Sequence, residues 1–513
     1  MAMQEMNPTE GAAKSGQTES ASDLKAERRK LARARRMVSA AAWAGPTVAR
    51  FGPLRKSLFK TVEKKAWADA ERRIELGTQP PGVIRDRTFM AVAIVKAVER
   101  GLAKGRIGRP TMNRLLNVLM GDSLLTHGFA GAKDRFVAEY GSRPPGFFLI
   151  SPTKTCNLRC TGCYADSGPT SEKLEWPILN RMVREARELW GLTFIVLSGG
   201  EPLAYRDEGK TILDLAEANQ DMFFMMYTNG TLIDDEVARR LSKLGNLTPA
   251  ISVEGLGEAT DKRRGPGVHD KIVAAMERLR RNKVIYGISM TATRDNADAL
   301  LSDEVIDYYY DKMGVLYGWL FHYMPMGRAF TLEMLPTPEQ RLRMWQKARQ
   351  LVHERQLLLA DFWNSGTASN GCVGSGHAGG YLTVDWDGKI APCVFVPYTP
   401  LNIHDVYAQN KTLNDVWAHP FLAKLRDWQY AYSNEYKYDK EGRHGNWMMP
   451  CPIRDHYDQF FKILKEHNPE PIDENARAAM EDPEYFKGMV AYNREVDQLF
   501  RPIWEKTYMK GPS

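Results

Sequence analysis

The sequence has few cysteines and no long apolar run. Six cysteines in 513 residues are too few for a small secreted domain that is stabilised by many disulfides. The longest uninterrupted apolar stretch, Phe89 to Val95, is far shorter than the roughly 18 residues that a membrane-spanning helix needs. No apolar segment near the start is followed by a secretory cleavage site. We therefore expect a cytoplasmic protein whose thiols serve as metal ligands more readily than as disulfides.

What remains is an ordinary globular composition. Hydrophobic residues make up 43% of the chain and charged residues 26%, which excludes collagen, a long coiled coil and wholesale disorder. A chain of this length is expected to form two or three domains.

Positive charge is concentrated near the N-terminus. Residues 25–65 contain thirteen Lys or Arg and two Glu, so their net charge of +11 exceeds the +7 of the whole chain. Aromatic and aliphatic side chains recur among them at roughly helical spacing, which is typical of a helix lying on an anionic membrane surface. The pattern equally fits ordinary helices whose apolar stripe packs on the body. No nucleic-acid partner is expected, because the segment contains no recognition motif.

The pattern of apolar residues divides the chain into five segments. They are a disordered tail, a helical basic region, an α/β region, a module with a hairpin turn at Asp387-Gly388, and a helical C-terminal tail. The boundaries are residues 1–24, 25–145, 146–335, 336–465 and 466–513. Low apolar content favours disorder in the first segment, and helical apolar spacing punctuated by prolines predicts helices in the second.

Six short apolar strands alternate with amphipathic helices in the third segment. The predicted strands are 147–151, 194–198, 223–228, 250–253, 286–291 and 319–323. Such alternation predicts an α/β fold with a partial (β/α)6 parallel barrel. Ligands of parallel barrels and sheets bind at the carboxyl ends of the strands. We therefore expect the chemistry in the loops that follow the strands.

Three cysteines, Cys156, Cys160 and Cys163, follow the first predicted strand within eight residues. Thiolates are the usual ligands of iron–sulfur clusters, and three of them on one loop can hold three corners of a four-iron cube. A zinc site would require a fourth ligand, and a structural role for the cysteines stays open.

This Cys-x3-Cys-x2-Cys loop resembles the signature of the radical S-adenosylmethionine (SAM) superfamily. The resemblance implies a [4Fe-4S] cluster that binds SAM through its open iron and needs a reductant such as flavodoxin or ferredoxin. It also implies reductive cleavage of SAM to a 5′-deoxyadenosyl radical, which abstracts hydrogen from an unactivated C–H bond. The chain departs from the pattern at Gly162, where the family often places an aromatic residue, and has Tyr164 after the third cysteine.

Three further motifs resemble SAM-binding elements of the superfamily. A Gly-Gly-Glu motif follows the second strand, a Ser-x-Glu pair ends the fourth, and an Asp-x-x-Arg-Gly motif comes after it. Glycines let the backbone approach a ligand closely, a carboxylate suits the methionine ammonium group, and an arginine suits its carboxylate. The SAM-binding residues that the resemblance implies are Gly199, Gly200, Glu201, Ser252, Glu254 and Arg264, with Arg263 an equally charged neighbour of the last.

The remaining cysteines, Cys372, Cys393 and Cys451, lie in the fourth segment. The spacing of the first two around Gly388 resembles the SPASM and twitch extensions, which bind auxiliary four-iron clusters. Three thiols allow one auxiliary cluster, because a full SPASM module has seven cysteines and two clusters. Its fourth ligand stays open between a side chain and an exchangeable molecule, and isolated cysteines without metal are the alternative. The candidate side chains are His377, Asp455 and His456.

Together these features predict a radical SAM enzyme. The basic N-terminal region favours a membrane-associated lipid or isoprenoid as substrate and attachment to the inner membrane face. A maturase of ribosomal peptides is the alternative, because SPASM and twitch modules are widely used for that purpose. An iron–sulfur protein that only carries electrons is the alternative of another class, but such a protein has no use for a SAM site. No further catalytic side chain is predicted.

Overall fold

The computed structural model describes residues 52–77, 79–115, 127–433 and 445–510. The tail predicted over residues 1–24 and the adjoining basic residues 25–51 lie outside the described part of the chain. Among the described residues, no helix is both long and apolar enough to cross a bilayer.

Seven parallel strands form the centre of the fold. Strands β1 to β7 span Phe147–Ile150, Phe194–Leu197, Phe223–Thr228, Leu247–Val253, Gly287–Ala292, Tyr317–His322 and Leu359–Asp361. Each strand pairs in parallel with the next one along the chain. The predicted parallel α/β fold is therefore confirmed. Strand β7 comes in addition to the six predicted strands, because three residues directly after a helix show no recognisable alternation.

The sheet continues into the C-terminal module. Strands β8 to β12 span Tyr381–Val384, Lys389–Ala391, Tyr398–Thr399, Leu401–Asn402 and Glu470–Pro471. Strand β8 pairs in parallel with β1, with Tyr381 opposite Phe147, and β9 pairs antiparallel with β8. Gly388 forms the turn between them with a φ of +78°. The hairpin module thus extends the barrel sheet at its β1 edge.

Curvature of the sheet brings distant strands together. The rings of Tyr227 in β3 and Phe321 in β6 have centroids 5.5 Å apart, although β4 and β5 lie between these strands in the sheet. Phe321 also contacts Phe395 of the C-terminal module at 5.8 Å. The concave face therefore encloses an aromatic interior, as expected for a partial barrel.

Helices cover the outer face of the sheet, and helical segments also begin and end the described part of the chain. Helices α1 to α4 span Gly52–Glu75, Pro81–Ala103, Arg109–Leu115 and His127–Tyr140. Helices α5 to α11 span Trp176–Trp190, Ile212–Ala218, Asp235–Leu244, Glu258–Arg264, Val268–Arg281, Asp303–Ile306 and Pro338–His353. Helices α12 to α19 span Gly366–Ser369, Ile403–Ala408, Leu413–Trp417, Pro420–Ser433, Pro452–Asp455, Tyr457–His467, Glu474–Glu481 and Pro483–Ile503.

Local sequence explains where the barrel helices begin and end. In α5, Leu179, Met182 and Ala186 are buried at helical spacing, so one face packs on the sheet. Gly191 ends this helix with a φ of +62°, a conformation that costs glycine little. The helix that begins at Asp303 is α-helical only to Ile306 and then widens into a π-helical turn.

The N-terminal and C-terminal helices pack against each other. A Cβ placed on Gly82 of α2 would lie 2.5 Å from the backbone of Tyr508, so only glycine permits this approach. The Tyr508 hydroxyl donates to Asp86 of α2 at 2.7 Å, and His353 of α11 lies 3.2 Å from the same carboxylate. The last helix and the turn after it are therefore part of the packed body.

Candidate cofactor site and a second cysteine group

A cavity of about 380 Å³ extends from the carboxyl ends of the barrel strands into the concave face. Loops converge at this end of a parallel sheet, which is where such folds bind ligands. Most of the residues predicted from the sequence line it, namely Cys156, Cys160, Cys163, Gly199, Gly200, Ser252 and Arg264. The two predicted carboxylates, Glu201 and Glu254, are buried outside this lining.

The loop that carries the first three cysteines is held by a distant arginine. Arg328, which follows β6, donates to the Cys160 carbonyl at 2.6 Å and to the Asp166 carboxylate at 2.9 Å. Within the loop, the Cys156 amide donates to the Gly168 carbonyl at 2.9 Å. Arg328 could not be identified from the sequence, because it is 168 residues from Cys160 and belongs to no recognised motif.

The chemistry of this loop fits a metal cluster. Burial raises the pKa of the Cys156 thiol to about 11, so the protein alone does not hold this sulfur as a thiolate at neutral pH. Metal binding supplies the missing driving force, because the metal takes the deprotonated form. In the described ranges, no three His, Cys, Asp or Glu side chains converge as the ligands of one ion do. A cube of irons spreads its thiolates further apart than zinc does.

Two glycines bring the second strand against this loop. A Cβ on Gly200 would lie 2.3 Å from the carbonyl oxygen of Thr155, and Gly199 has a φ of +104°. The Gly199 amide donates to the Tyr164 hydroxyl at 3.2 Å, and that hydroxyl lies 2.8 Å from the Ser198 hydroxyl. The tyrosine after the third cysteine thus joins the cysteine loop to the glycine turn.

Glu201 is engaged with its own protein neighbours. Its carboxylate accepts hydrogen bonds from the Thr228 hydroxyl at 2.7 Å, the Asn229 amide at 2.7 Å and the Leu203 amide at 3.1 Å. Burial raises its pKa, and these hydrogen bonds oppose the rise. The carboxylate therefore ties the ends of β2 and β3 together. Ammonium binding by Glu201 stays a prediction.

Glu254 forms a buried ion triad with two arginines. It accepts from Arg263 at 2.6 Å, and Arg264 contacts both of its oxygens in a bidentate pair. Although burial alone raises the pKa of Glu254, the charges of Arg264 and Arg263 outweigh it and lower the pKa. Arg264 also places a guanidinium nitrogen 3.9 Å from Cys160 Sγ. The triad thus brings positive charge to the cysteine loop. SAM binding by Ser252, which lines the cavity, and by Glu254 remains a prediction.

Gly162 makes room for an aromatic residue from another strand. A Cβ at this position would lie 2.9 Å from the Tyr323 ring and 2.8 Å from the end of Met334. The Tyr323 ring therefore lies over the cysteine loop, close to where the family pattern places an aromatic side chain. Tyr323 also lines the cavity.

Cys372, Cys393 and Cys451 form a second group beside the β1 edge of the sheet. A Cβ on Gly374 would lie 3.6 Å from Cys372 Sγ and 3.5 Å from Cys393 Cβ. A hydrogen bond with the Cys372 thiol, together with burial, raises the pKa of Cys451, and burial raises that of Cys393 to about 12. The fold therefore brings together three thiols that are far apart in sequence.

The candidate fourth ligands of this group have protein partners. Asp455 pairs with Arg341 at 2.5 Å and accepts from the Cys451 amide at 3.1 Å. His456 Nε2 lies 2.8 Å from the Met449 carbonyl, and His377 Nδ1 lies 2.7 Å from the Cys372 carbonyl. Asp455 thus positions the backbone of Cys451.

Comparison with known proteins agrees with this geometry. The family model described as "Radical SAM superfamily" matches residues 150–298, which contain the first cysteine loop and the Glu254 triad. The chain belongs to the radical SAM superfamily. It is a radical SAM enzyme, and its cofactors are a [4Fe-4S] cluster and SAM.

Two curated relatives and one solved structure are similar to this radical SAM chain. It is 24% identical to the AdoMet-dependent heme synthase of Methanosarcina barkeri, over 54% of this chain and 83% of the relative. It is 27% identical to the mycofactocin maturase MftC of Mycobacterium ulcerans, over 57% of this chain and 80% of the relative. Streptococcus suis SuiB bound to S-adenosylmethionine matches with a TM-score of 0.47 and 18% identity, covering 58% of this chain and 71% of SuiB. This last likeness concerns the fold alone.

Proposed function

We propose that this radical SAM enzyme removes hydrogen from an apolar carbon of a membrane-associated lipid or isoprenoid. The observation that carries the proposal is the inner wall of the cavity, which is aromatic and aliphatic. The apolar residues of that wall include Phe147, Leu149, Phe194, Val196, Met225, Trp319, Phe321, Phe362, Val394 and Phe395. Among the described residues that line the cavity, none is Asp, Glu or Lys.

Such a wall selects substrates by solvation. Burying apolar surface yields about 25 cal/mol per Å², so a hydrocarbon group gains free energy by entering this space. A charged or amide group entering the same space loses its hydrogen bonds to water at a cost of about 1–3 kcal/mol or more. The charged head of a substrate is therefore expected to stay outside the inner cavity.

The protein residues supply binding, orientation and exclusion of water. When bound, the cluster and SAM supply an organic radical that takes a hydrogen atom from the substrate. Cys156, Cys160 and Cys163 would hold the cluster, and Arg264 would face the SAM carboxylate. The aromatic wall keeps water from the reacting carbon.

We also propose that Cys372, Cys393 and Cys451 hold one auxiliary [4Fe-4S] cluster. Cys372 and Cys393 meet beside Gly374, and Cys451 contacts Cys372 from a separate segment. This proximity supports the assignment. The fourth iron position would be filled by an exchangeable molecule, because the nearby Asp455 is paired with Arg341.

Attachment to a membrane surface is the second part of the lipid proposal. Leu54, Leu58 and Val62 of α1 have exposed fractions of 54%, 54% and 42% and recur every four residues, so they lie on one face of the helix. Lys56 and Lys60 belong to the same turns. Exposed apolar side chains beside lysines suit an anionic leaflet.

A second candidate is maturation of a ribosomal peptide. The relative named mycofactocin maturase supports it, since the alignment covers most of that protein. The two candidates differ in the group that must enter the apolar cavity, which is a hydrocarbon chain in one and a peptide segment in the other.

The first experiment measures which substrate class couples to SAM cleavage. The full chain is reconstituted anaerobically with iron and sulfide, and 5′-deoxyadenosine is quantified after addition of SAM and dithionite. We expect about eight irons per chain, a slow basal release, and faster release with a lipid extract. Faster release with ribosomal precursor peptides and none with lipid would favour the maturase.

The membrane part is tested by sedimentation with vesicles. The full chain is expected to sediment with vesicles containing phosphatidylglycerol, and much less with phosphatidylcholine alone. Replacing Leu54, Leu58 and Val62 by Ser should release the protein. The matched control is Ile94→Ser, because Ile94 is 48% exposed on α2. Equal sedimentation of the triple variant and the parent would contradict surface attachment through this helix.

A further inference from the structure

Tyr381 lies between the substrate cavity and the second cysteine group. Its side chain lines the cavity, and its ring stacks on Phe147 with centroids 4.8 Å apart. Its hydroxyl oxygen lies 2.9 Å from Cys393 Sγ. Only 1% of the residue is exposed. One buried side chain therefore forms the contact between the inner cavity and this thiol.

The hydroxyl is the donor in this contact when Cys393 is a ligand. A sulfur bound to iron has lost its proton and can only accept, whereas the tyrosine hydroxyl carries a hydrogen that it can donate. The Val394 amide donates to the Tyr381 oxygen at 3.4 Å, which leaves the hydroxyl hydrogen available for the sulfur. The Phe395 amide approaches the same sulfur from 3.5 Å, a longer contact.

Pairing of β8 with β1 fixes the position of Tyr381. Tyr381 is the first residue of β8 and lies opposite Phe147 in the parallel register, and its amide donates to the Val373 carbonyl at 2.8 Å. Val373 directly follows Cys372. The backbone that carries the tyrosine is thus tied both to the barrel edge and to the cysteine segment.

We propose that Tyr381 is a positioning residue that sets the reduction potential of the auxiliary cluster by donating a hydrogen bond to Cys393 Sγ. The inference rests on the proposed cluster of Cys372, Cys393 and Cys451. Hydrogen bonds to cluster sulfurs stabilise the more negative reduced state and raise the potential. Tyr381 thus links the cavity that it lines to the sulfur of one proposed ligand.

The test is a redox titration of the full chain with both clusters, followed by electron paramagnetic resonance. The auxiliary signal is the one that persists when Cys156, Cys160 and Cys163 are replaced by Ala. Tyr381→Phe keeps the ring and removes the donor, so we expect a lower midpoint potential of that signal at unchanged iron content. Tyr398→Phe is the matched control, because this buried tyrosine of the same module donates to the Ala476 carbonyl instead. In this control, the midpoint potential of the auxiliary signal should equal that of the parent.

A second variant separates hydrogen-bond strength from packing. Incorporating 3-fluorotyrosine at position 381 preserves the shape and makes the hydroxyl a stronger donor, so the midpoint potential should rise above that of the parent. If Tyr381→Phe loses iron, the potentials of the parent and the fluorinated chain still test the hydrogen bond. Equal potentials in the parent and the fluorinated chain would overturn the role of Tyr381 alone. Absence of any auxiliary signal in the parent would overturn the proposed cluster and this inference together.

Discussion

The two cysteine groups are assembled in opposite ways. Cys156, Cys160 and Cys163 lie on one loop after β1, so their proximity is a property of local chain geometry. Cys372 and Cys451 are 79 residues apart. Cys372 precedes β8 and Cys393 follows β9, so these two meet across the β8–β9 pairing, and Cys451 joins them from a separate segment. The second group therefore depends on sheet pairing and on buried packing in a way that the first does not.

This difference predicts that the two groups fail under different perturbations. A change in the C-terminal packing should remove the second group and leave the first intact. A change in the cysteine loop should abolish SAM chemistry while the second group persists. The following experiments test that separation.

The largest effect is expected from replacing Cys156, Cys160 and Cys163 together by Ala. Without these thiolates no cluster can transfer an electron to SAM, so 5′-deoxyadenosine should fall to the background of protein-free controls. Iron should fall by about one four-iron cluster per chain. Iron counting and chromatography measure the two quantities, and persistent SAM cleavage in this variant would contradict the assignment.

The complementary change replaces Cys372, Cys393 and Cys451 by Ala. Iron should again fall by about one four-iron cluster, but reductive SAM cleavage should stay detectable because the first loop is untouched. Turnover of the substrate should be lost. Equal iron in this variant and the parent would rule out an auxiliary cluster.

A smaller, structural effect is expected from Arg341→Met. The change leaves the Asp455 carboxylate buried without its partner, and breaking such a pair costs about 3–5 kcal/mol. Since Asp455 holds the Cys451 amide, the second cluster should be depleted and SAM cleavage preserved. Chemical denaturation and iron counting measure these effects.

The control for that variant is Arg343→Met, two residues along the same helix. Arg343 and Asp298 form an exposed pair with exposed fractions of 56% and 55%, and such pairs contribute little to stability. Unfolding free energy and iron content should match the parent. A loss of iron equal to that of Arg341→Met would show that the helix, rather than the buried pair, holds the second group.

The smallest effect is expected from Gly200→Ala. The added methyl group would lie 2.3 Å from the Thr155 carbonyl oxygen. Such overpacking lowers the free energy of unfolding by about 1–3 kcal/mol. The strain falls on the first cysteine loop, so SAM binding should weaken while the second cluster stays intact. The control is Gly168→Ala, because a Cβ added there meets no atom within 4 Å beyond its chain neighbours, and the melting temperature should not change.

Much of the barrel and its first site could be predicted from the sequence. The predicted strands alternate with amphipathic helices, and turn residues in the sequence mark where these strands end. The short strand β7 was missed because its three residues carry no periodic signal. Arg328 was missed because it reaches the cysteine loop from after β6, and no local pattern indicates such a contact.

The tyrosine that touches Cys393 illustrates the same limit. The sequence predicted a hairpin turn at Asp387-Gly388 but gave no role to Tyr381. The pairing of β8 with β9 brings its hydroxyl to the thiol, and the pairing of β8 with β1 brings its ring to the cavity. Likewise, the engagement of Glu201 with Thr228 and Asn229 results from the adjacency of β2 and β3, which the sequence pattern does not specify in atomic detail.

The sequence by itself determined the class of this protein, because three thiols within eight residues and a Gly-Gly-Glu turn are local features that chemistry can interpret. Only the tertiary structure decided how the second three cysteines meet and which residues line the cavity. Local features depend on neighbouring residues along one backbone, whereas the cavity and the second group depend on long-range pairing between segments. Such pairing follows from the summed packing of the whole chain.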